Sequence, residues 1–152
     1  MKKLLLVLMT LVLAACTAVG NAMGDQSEIE QNKEKWQDAN ISHYRYNLHI
    51  SCFCVFVENM PLVIEVQDGE VVSMEYHNGN EIDPSLLELF DKYATIDRLF
   101  AEIEAGLNGA ADKMTVEYDA TYGFPTKADF DFEEMAIDDE LYLSISDFEA
   151  LP

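Results

Sequence analysis

The sequence predicts an α+β domain built on an antiparallel sheet of five to six strands, covered on one face by helices. Three observations carry that expectation. Apolar residues alternate with period two in at least five segments. One segment between them, Thr95 to Gly109, follows the helical period. The order is helix, three strands, helices, three strands, which suggests an antiparallel sheet with helices set apart from it.

Residues 27–40 are charged and helix-tolerant, with Ile29 and Trp36 on one stripe, so a short helix docks mainly through Trp36. From Tyr44 the period becomes two. Tyr44, Tyr46, Leu48, Ile50, Cys52 and Cys54 fall on one face, and His43, Arg45, Asn47, His49 and Ser51 on the other. That reads as one long half-buried strand with both thiols on its apolar side. Leu62–Val66 and Val71–Tyr76 flank Gln67-Asp68-Gly69, a hairpin signal. A two-residue turn would set Ile64 against Ser73 and Leu62 against Glu75. A three-residue turn sets Ile64 against Val72 and Leu62 against Met74, keeping apolar with apolar, and is preferred.

Asp83-Pro84 starts a short helix carrying Leu86, Leu87 and Phe90. Thr95 caps the clearest helix, in which Ile96, Leu99, Phe100, Ile103 and Leu107 recur every three or four residues until Asn108-Gly109 ends it. Met114, Val116 and Tyr118 then alternate with polar residues, as do Thr126, Ala128, Phe130 and Phe132 after a Tyr122-Gly123-Phe124-Pro125 turn. Pairing Val116 with Ala128 sets Glu117 against Lys127 and Lys113 against Asp131, so the charges support the register. Leu141, Leu143 and Ile145 form a last strand.

Ahead of the domain, Lys2 and Lys3 precede an apolar run from Leu4 to Leu13 and the order Leu13-Ala14-Ala15-Cys16. The run is shorter than the ~18–20 residues that span a bilayer, and its charged start matches a secretory signal. The small residues before cysteine resemble a bacterial lipobox. The expectation is a signal over residues 1–15, acyl (palmitate) chains on Cys16, a tether over 16–26 and a single domain over 27–152. Removing residues 1–15 takes away two of nine basic residues and no acidic one, changing the net charge from −20 to −22. Such a surface repels nucleic acid and attracts a basic envelope protein or a divalent cation.

Acylation of Cys16 leaves Cys52 and Cys54 as an even pair in a compartment that permits disulfides. In an ideal strand their Cα atoms lie about 6.6 Å apart, so a bridge requires a bend. Two readings stay open: a structural one, as a local bridge or as two small buried residues, and a functional one, as a labile disulfide or soft-metal thiolate pair. The carboxylates Asp119, Asp129, Asp131, Glu133, Glu134, Asp138, Asp139 and Glu140 form a second candidate set. Asp138, Asp139 and Glu140 lie near strand ends, where oxygen ligands for a hard cation converge, but no EF-hand loop is present and a solvated acidic face explains the set more simply. His43 and His49 are too far apart on one strand to share a metal, and His77 sits in a loop; all three read as surface residues. Tyr44, Tyr46, Tyr76, Tyr118, Phe130 and Phe132 read as core rather than as a ligand groove. No Gly-x-Ser-x-Gly elbow or glycine-rich phosphate loop is found, so no catalytic residue is assigned and no cofactor beyond the lipid.

Tyr44-Arg-Tyr-Asn-Leu48, Cys52-Phe-Cys54, Asp68-Gly69, Thr95-Ile-Asp-Arg-Leu-Phe100, Tyr118-Asp119 with Gly123-Phe-Pro125, and Ala136-Ile-Asp-Asp-Glu140 follow one another in this order. Together they resemble a bacterial envelope family designated domain of unknown function 6174, over Trp36 to Phe148. The resemblance implies a secreted or lipid-anchored domain with these boundaries and implies no activity.

Overall fold

The computed structural model describes residues 26–152; the expected signal, Cys16 and nearly all of the expected tether lie outside them. Helix α1 (Gln26–Ala39) buries Ile29 and Trp36, as their spacing requires, and stops where Asn40 turns left-handed at φ 49°. Strand β1 (His43–Ser51) then buries Tyr44, Tyr46, Leu48 and Ile50, while its other face carries His43, Arg45, Asn47 and His49. The strand ends at Ser51, short of both cysteines.

Strands β2 (Leu62–Gln67) and β3 (Glu70–Tyr76) form the expected hairpin in a different register. Asp68 and Gly69 both have positive φ, 53° and 81°, which makes a two-residue turn with Gln67 opposite Glu70. A bulge follows at once, because Val66 faces Val71 while Glu65 faces Ser73. Val72 is the extra residue and lies exposed. The result sets Ile64 against Met74 and Leu62 against Tyr76, neither of the arrangements expected. Apolar still meets apolar, and the bulge rather than a longer turn restores the pairing.

Asp83 caps a 3-10 turn (Pro84–Leu86) by accepting the Ser85 amide hydrogen at 2.9 Å, and α2 (Leu87–Asp91) continues from it. Thr95 Oγ1 accepts the Arg98 amide hydrogen at 3.1 Å to start α3 (Ile96–Ala105). A π turn over Gly106–Ala110 closes the helix at Gly109, φ 99°. Strands β4 (Lys113–Tyr118) and β5 (Pro125–Asp131) pair as the charges foretell: Val116 with Ala128, Glu117 with Lys127, Lys113 with Asp131. Lys127 and Glu117 form an ion pair at 2.9 Å.

With β6 (Leu141–Ala150), the strands make one six-stranded antiparallel sheet in the order β3-β2-β1-β6-β5-β4. The chain is therefore α+β, with its first and last strands paired at the centre. One cluster of buried side chains joins the sheet to the helices. Trp36 meets the Tyr44 ring edge-on at 5.3 Å, the Tyr44 hydroxyl bonds to the start of α3, and Phe90 packs on Tyr76 at 5.9 Å. Among the described residues no helix is long and apolar enough to cross a membrane.

Candidate functional site

The cysteine pair sits where β1 gives way to a tight turn. The Cys54 amide donates to the Cys52 carbonyl at 2.8 Å, a three-residue turn that brings the two Cα atoms to 5.2 Å. The sulfurs stand at disulfide distance, 2.00 Å. The long strand expected through Cys54 is thus corrected: a bridge between residues two apart needs this bend, and the bend ends the strand. Phe56 drops back into the core against Phe90, ring centroids 4.9 Å apart, and pins the far end of the turn. What the turn presents outward is Phe53, 85% exposed, and Val55, 95% exposed.

Across from this turn, β5 ends at Asp131 and the chain returns to β6 through residues 132–140. Phe132, expected in the strand and in the core, lies beyond both; it stacks on buried Phe130 at 5.9 Å and leaves its other face to solvent. The return is held by two carboxylates, one of its own and one from just before β4. Asp139 accepts the Glu133 amide hydrogen at 2.6 Å, Asp112 accepts that of Glu134 at 3.2 Å, and Asp138 adopts φ 70°. Met135 and Ile137 project from this acidic segment, 90% and 87% exposed.

The two segments close a groove of about 260 Å³. Phe53, both cysteines, Leu89, Tyr93 and Phe132 form its apolar wall, and Asp138, Asp139 and Glu140 form its rim. Two candidate sites that the sequence kept apart, the thiol pair and the acidic run, are one place in the fold. The charge there is concentrated. The Asp131 carboxyl is held above the usual carboxylate range, first by desolvation and then by the like charges of Asp139 and Glu140. None of the ion pairs among the described residues takes a carboxylate from 131–140.

The other candidates do not join this site. Asp119 accepts the amide hydrogens of Thr121 and Tyr122 and shapes the β4–β5 turn, while Asp129 pairs across strands with Thr115. His43 bonds to Glu65 at 2.9 Å and to the Pro152 carbonyl at 3.0 Å on the sheet face away from the core; His49 is half-buried on that face and His77 is exposed. Among the described residues no three His, Cys, Asp or Glu side chains are grouped to hold a metal ion. Tyr44, Tyr46, Tyr76 and Phe130 are core residues, as expected, and Tyr118 is half-buried. The sequence reading missed Phe53, Val55, Met135 and Ile137. Their signal was present: Phe53 and Val55 are apolar residues on the polar phase of the alternation, and Met135 and Ile137 interrupt an acidic run.

A family of unknown function (DUF6174) matches residues 28–150, which is most of the chain and all of the sheet. The chain belongs to that family. No curated protein and no solved structure gives a match. Within the DUF6174 domain, the Cys52-Phe-Cys54 and Ala136-Ile-Asp-Asp-Glu140 segments lie some eighty residues apart in sequence and face each other across the groove.

Proposed function

We propose that this chain is a lipid-anchored envelope protein whose DUF6174 domain is a non-catalytic binding module, acting through the groove between the Cys52–Cys54 turn and residues 132–140. The observation that carries this reading is the exposure of Phe53, Leu89 and Phe132 in the wall of one groove, with exposed Val55, Met135 and Ile137 in the two segments that form it. Exposed apolar side chains gathered in one place mark a surface that another molecule covers. The charged start, apolar run and Leu-Ala-Ala-Cys order support acylation at Cys16. Thr17, rather than an aspartate after Cys16, favours the outer membrane facing the periplasm in a two-membrane bacterium. Strong acidity favours a basic envelope protein or a divalent cation as partner and disfavours nucleic acid.

A second reading, a thiol-disulfide or metal-handling protein, draws on the position of Cys52 and Cys54 in the groove wall. The test is a photo-crosslinking amino acid placed at Phe53 or Phe132, with Val72 on β3 as control, in the native envelope. Adducts from the groove positions that are missing from Val72 are expected. No adduct, or the same adducts from all three positions, overturns the binding-module reading. A folded Cys52→Ser, Cys54→Ser variant that keeps the groove adducts but loses the cellular function supports the second reading.

A further inference from the structure

We infer that the groove takes a cationic amphipathic segment of a polypeptide, with apolar side chains set between Phe53 and Phe132 and lysines or arginines on the Asp138–Glu140 rim. The inference rests on the groove being a binding site and adds the chemistry of its occupant. Size is the first ground. At about 260 Å³ the groove falls below the roughly 300–1,000 Å³ of pockets that enclose a whole small molecule. It suits a few side chains of something larger. Charge is the second ground. The rim carboxylates have no ion-pair partner among the described residues, and the like charges of Asp139 and Glu140 add to desolvation in raising the neighbouring Asp131 carboxyl, against the pull of Lys113. A cation placed there relieves that repulsion beside an apolar wall that lowers the local dielectric. The third ground is where the apolar residues stand. Val55 follows Cys54 in the chain and Ile137 precedes Asp138, so largely exposed apolar residues adjoin lining residues in both segments. A membrane surface fits less well, because the same carboxylates repel anionic headgroups.

The test uses the full chain in detergent and a short fluorescein-labelled peptide of leucine and lysine, followed by anisotropy at low and physiological salt. Three comparison probes accompany it: a leucine–serine peptide, a serine–lysine peptide, and zwitterionic phosphatidylcholine vesicles. The leucine–lysine peptide is expected to bind, and to weaken roughly tenfold or more in Phe53→Ser with Val55→Ser. A similar loss is expected in Asp138→Asn with Glu140→Gln, and binding should fall as salt rises. All four side chains are exposed, and circular dichroism with thermal unfolding confirms that the variants fold. Equal binding of the leucine–serine peptide, or equal binding of the serine–lysine peptide, overturns the inference. So does vesicle binding that depends on Phe53, which would make the occupant a lipid surface. Binding of none of the probes overturns it as well, and crosslinks from Phe53 in the envelope would then leave the binding-module reading standing without it.

Discussion

The hydroxyl oxygen of Tyr44 accepts the amide hydrogen of Ile96 at 3.2 Å, fastening the first turn of α3 to the centre of the sheet. Both residues are buried. Tyr44→Phe leaves that amide without its partner, at a cost of about 1–3 kcal/mol. The Thr95 cap on Arg98 is untouched, so the helix should persist while the denaturation midpoint falls. An unchanged midpoint would mean that another group reaches the Ile96 amide.

Burial pushes the Tyr44 phenol up to about 12 and raises Tyr46 and Tyr118 in the same direction. An unfolded tyrosine ionises near pH 10. The fold therefore favours the neutral phenols, and this contribution to stability is complete below about pH 10. It is lost as the pH climbs from there through about 12, when the unfolded chain gains phenolates that the folded core resists. Denaturation midpoints should hold level and then drop across that window, with phenolate absorbance rising together with unfolding. Absorbance that titrates near pH 10 in the folded protein, for all the tyrosines, would contradict the assignment.

Gly123 has φ 80°, and a Cβ there would lie 2.4 Å from the Asn32 carbonyl oxygen and 3.0 Å from the Lys35 Cβ, both on α1. Gly69 has φ 81° and open space around it. Both pay left-handed strain on substitution, about 1–2 kcal/mol. Only Gly123→Ala must also displace the backbone of a helix. Its loss should exceed that of Gly69→Ala by about 1 kcal/mol or more. Equal losses would show that α1 shifts freely.

The bridge between Cys52 and Cys54 closes a loop of three residues, and short loops restrict the unfolded chain little, about 1.6 kcal/mol on the chain-entropy estimate. The double serine variant should stay folded and lose no more than about 2 kcal/mol. Peptide mapping without reductant should give one fragment, lighter by two hydrogens. Free thiols that alkylate in freshly purified protein would count against the pairing.

For the proposed anchor, mass spectrometry of the membrane fraction should find diacylglyceryl on Cys16 and no peptide from residues 1–15. A chain released into solution by cleavage elsewhere would contradict it.

Elements that depend on local chemistry were legible in the sequence. Asp83, Thr95 and Gly109 mark their helix boundaries, and the Lys113, Glu117 and Lys127 charges give the β4–β5 register. The β2–β3 register was not, because a bulge at Val72 repairs the apolar pairing after a turn that would otherwise spoil it, and alternation alone cannot locate one inserted residue. The end of β1 was hidden likewise. Cys52 and Cys54 keep the strand's phase, and the turn that their backbone hydrogen bond and bridge close takes the chain out of it. The candidate site was half legible: its members were singled out, but their meeting depends on Ser51 and Leu141 lying at the same end of paired strands, a relation between distant segments.

Placing the first and last strands side by side has a consequence for how this protein is made. Strand β2 can pair with β1 and β3 with β2 as soon as they appear, and β4 can pair with β5, but the two halves are joined only through β6. A chain emerging from the ribosome, or threaded N-terminus first through a translocon, holds two incomplete sheets with unsatisfied edges until residues 141–150 come free. The sheet is therefore completed only by β6, and until that strand is made the edges of β1 and β5 that it will cover stay open.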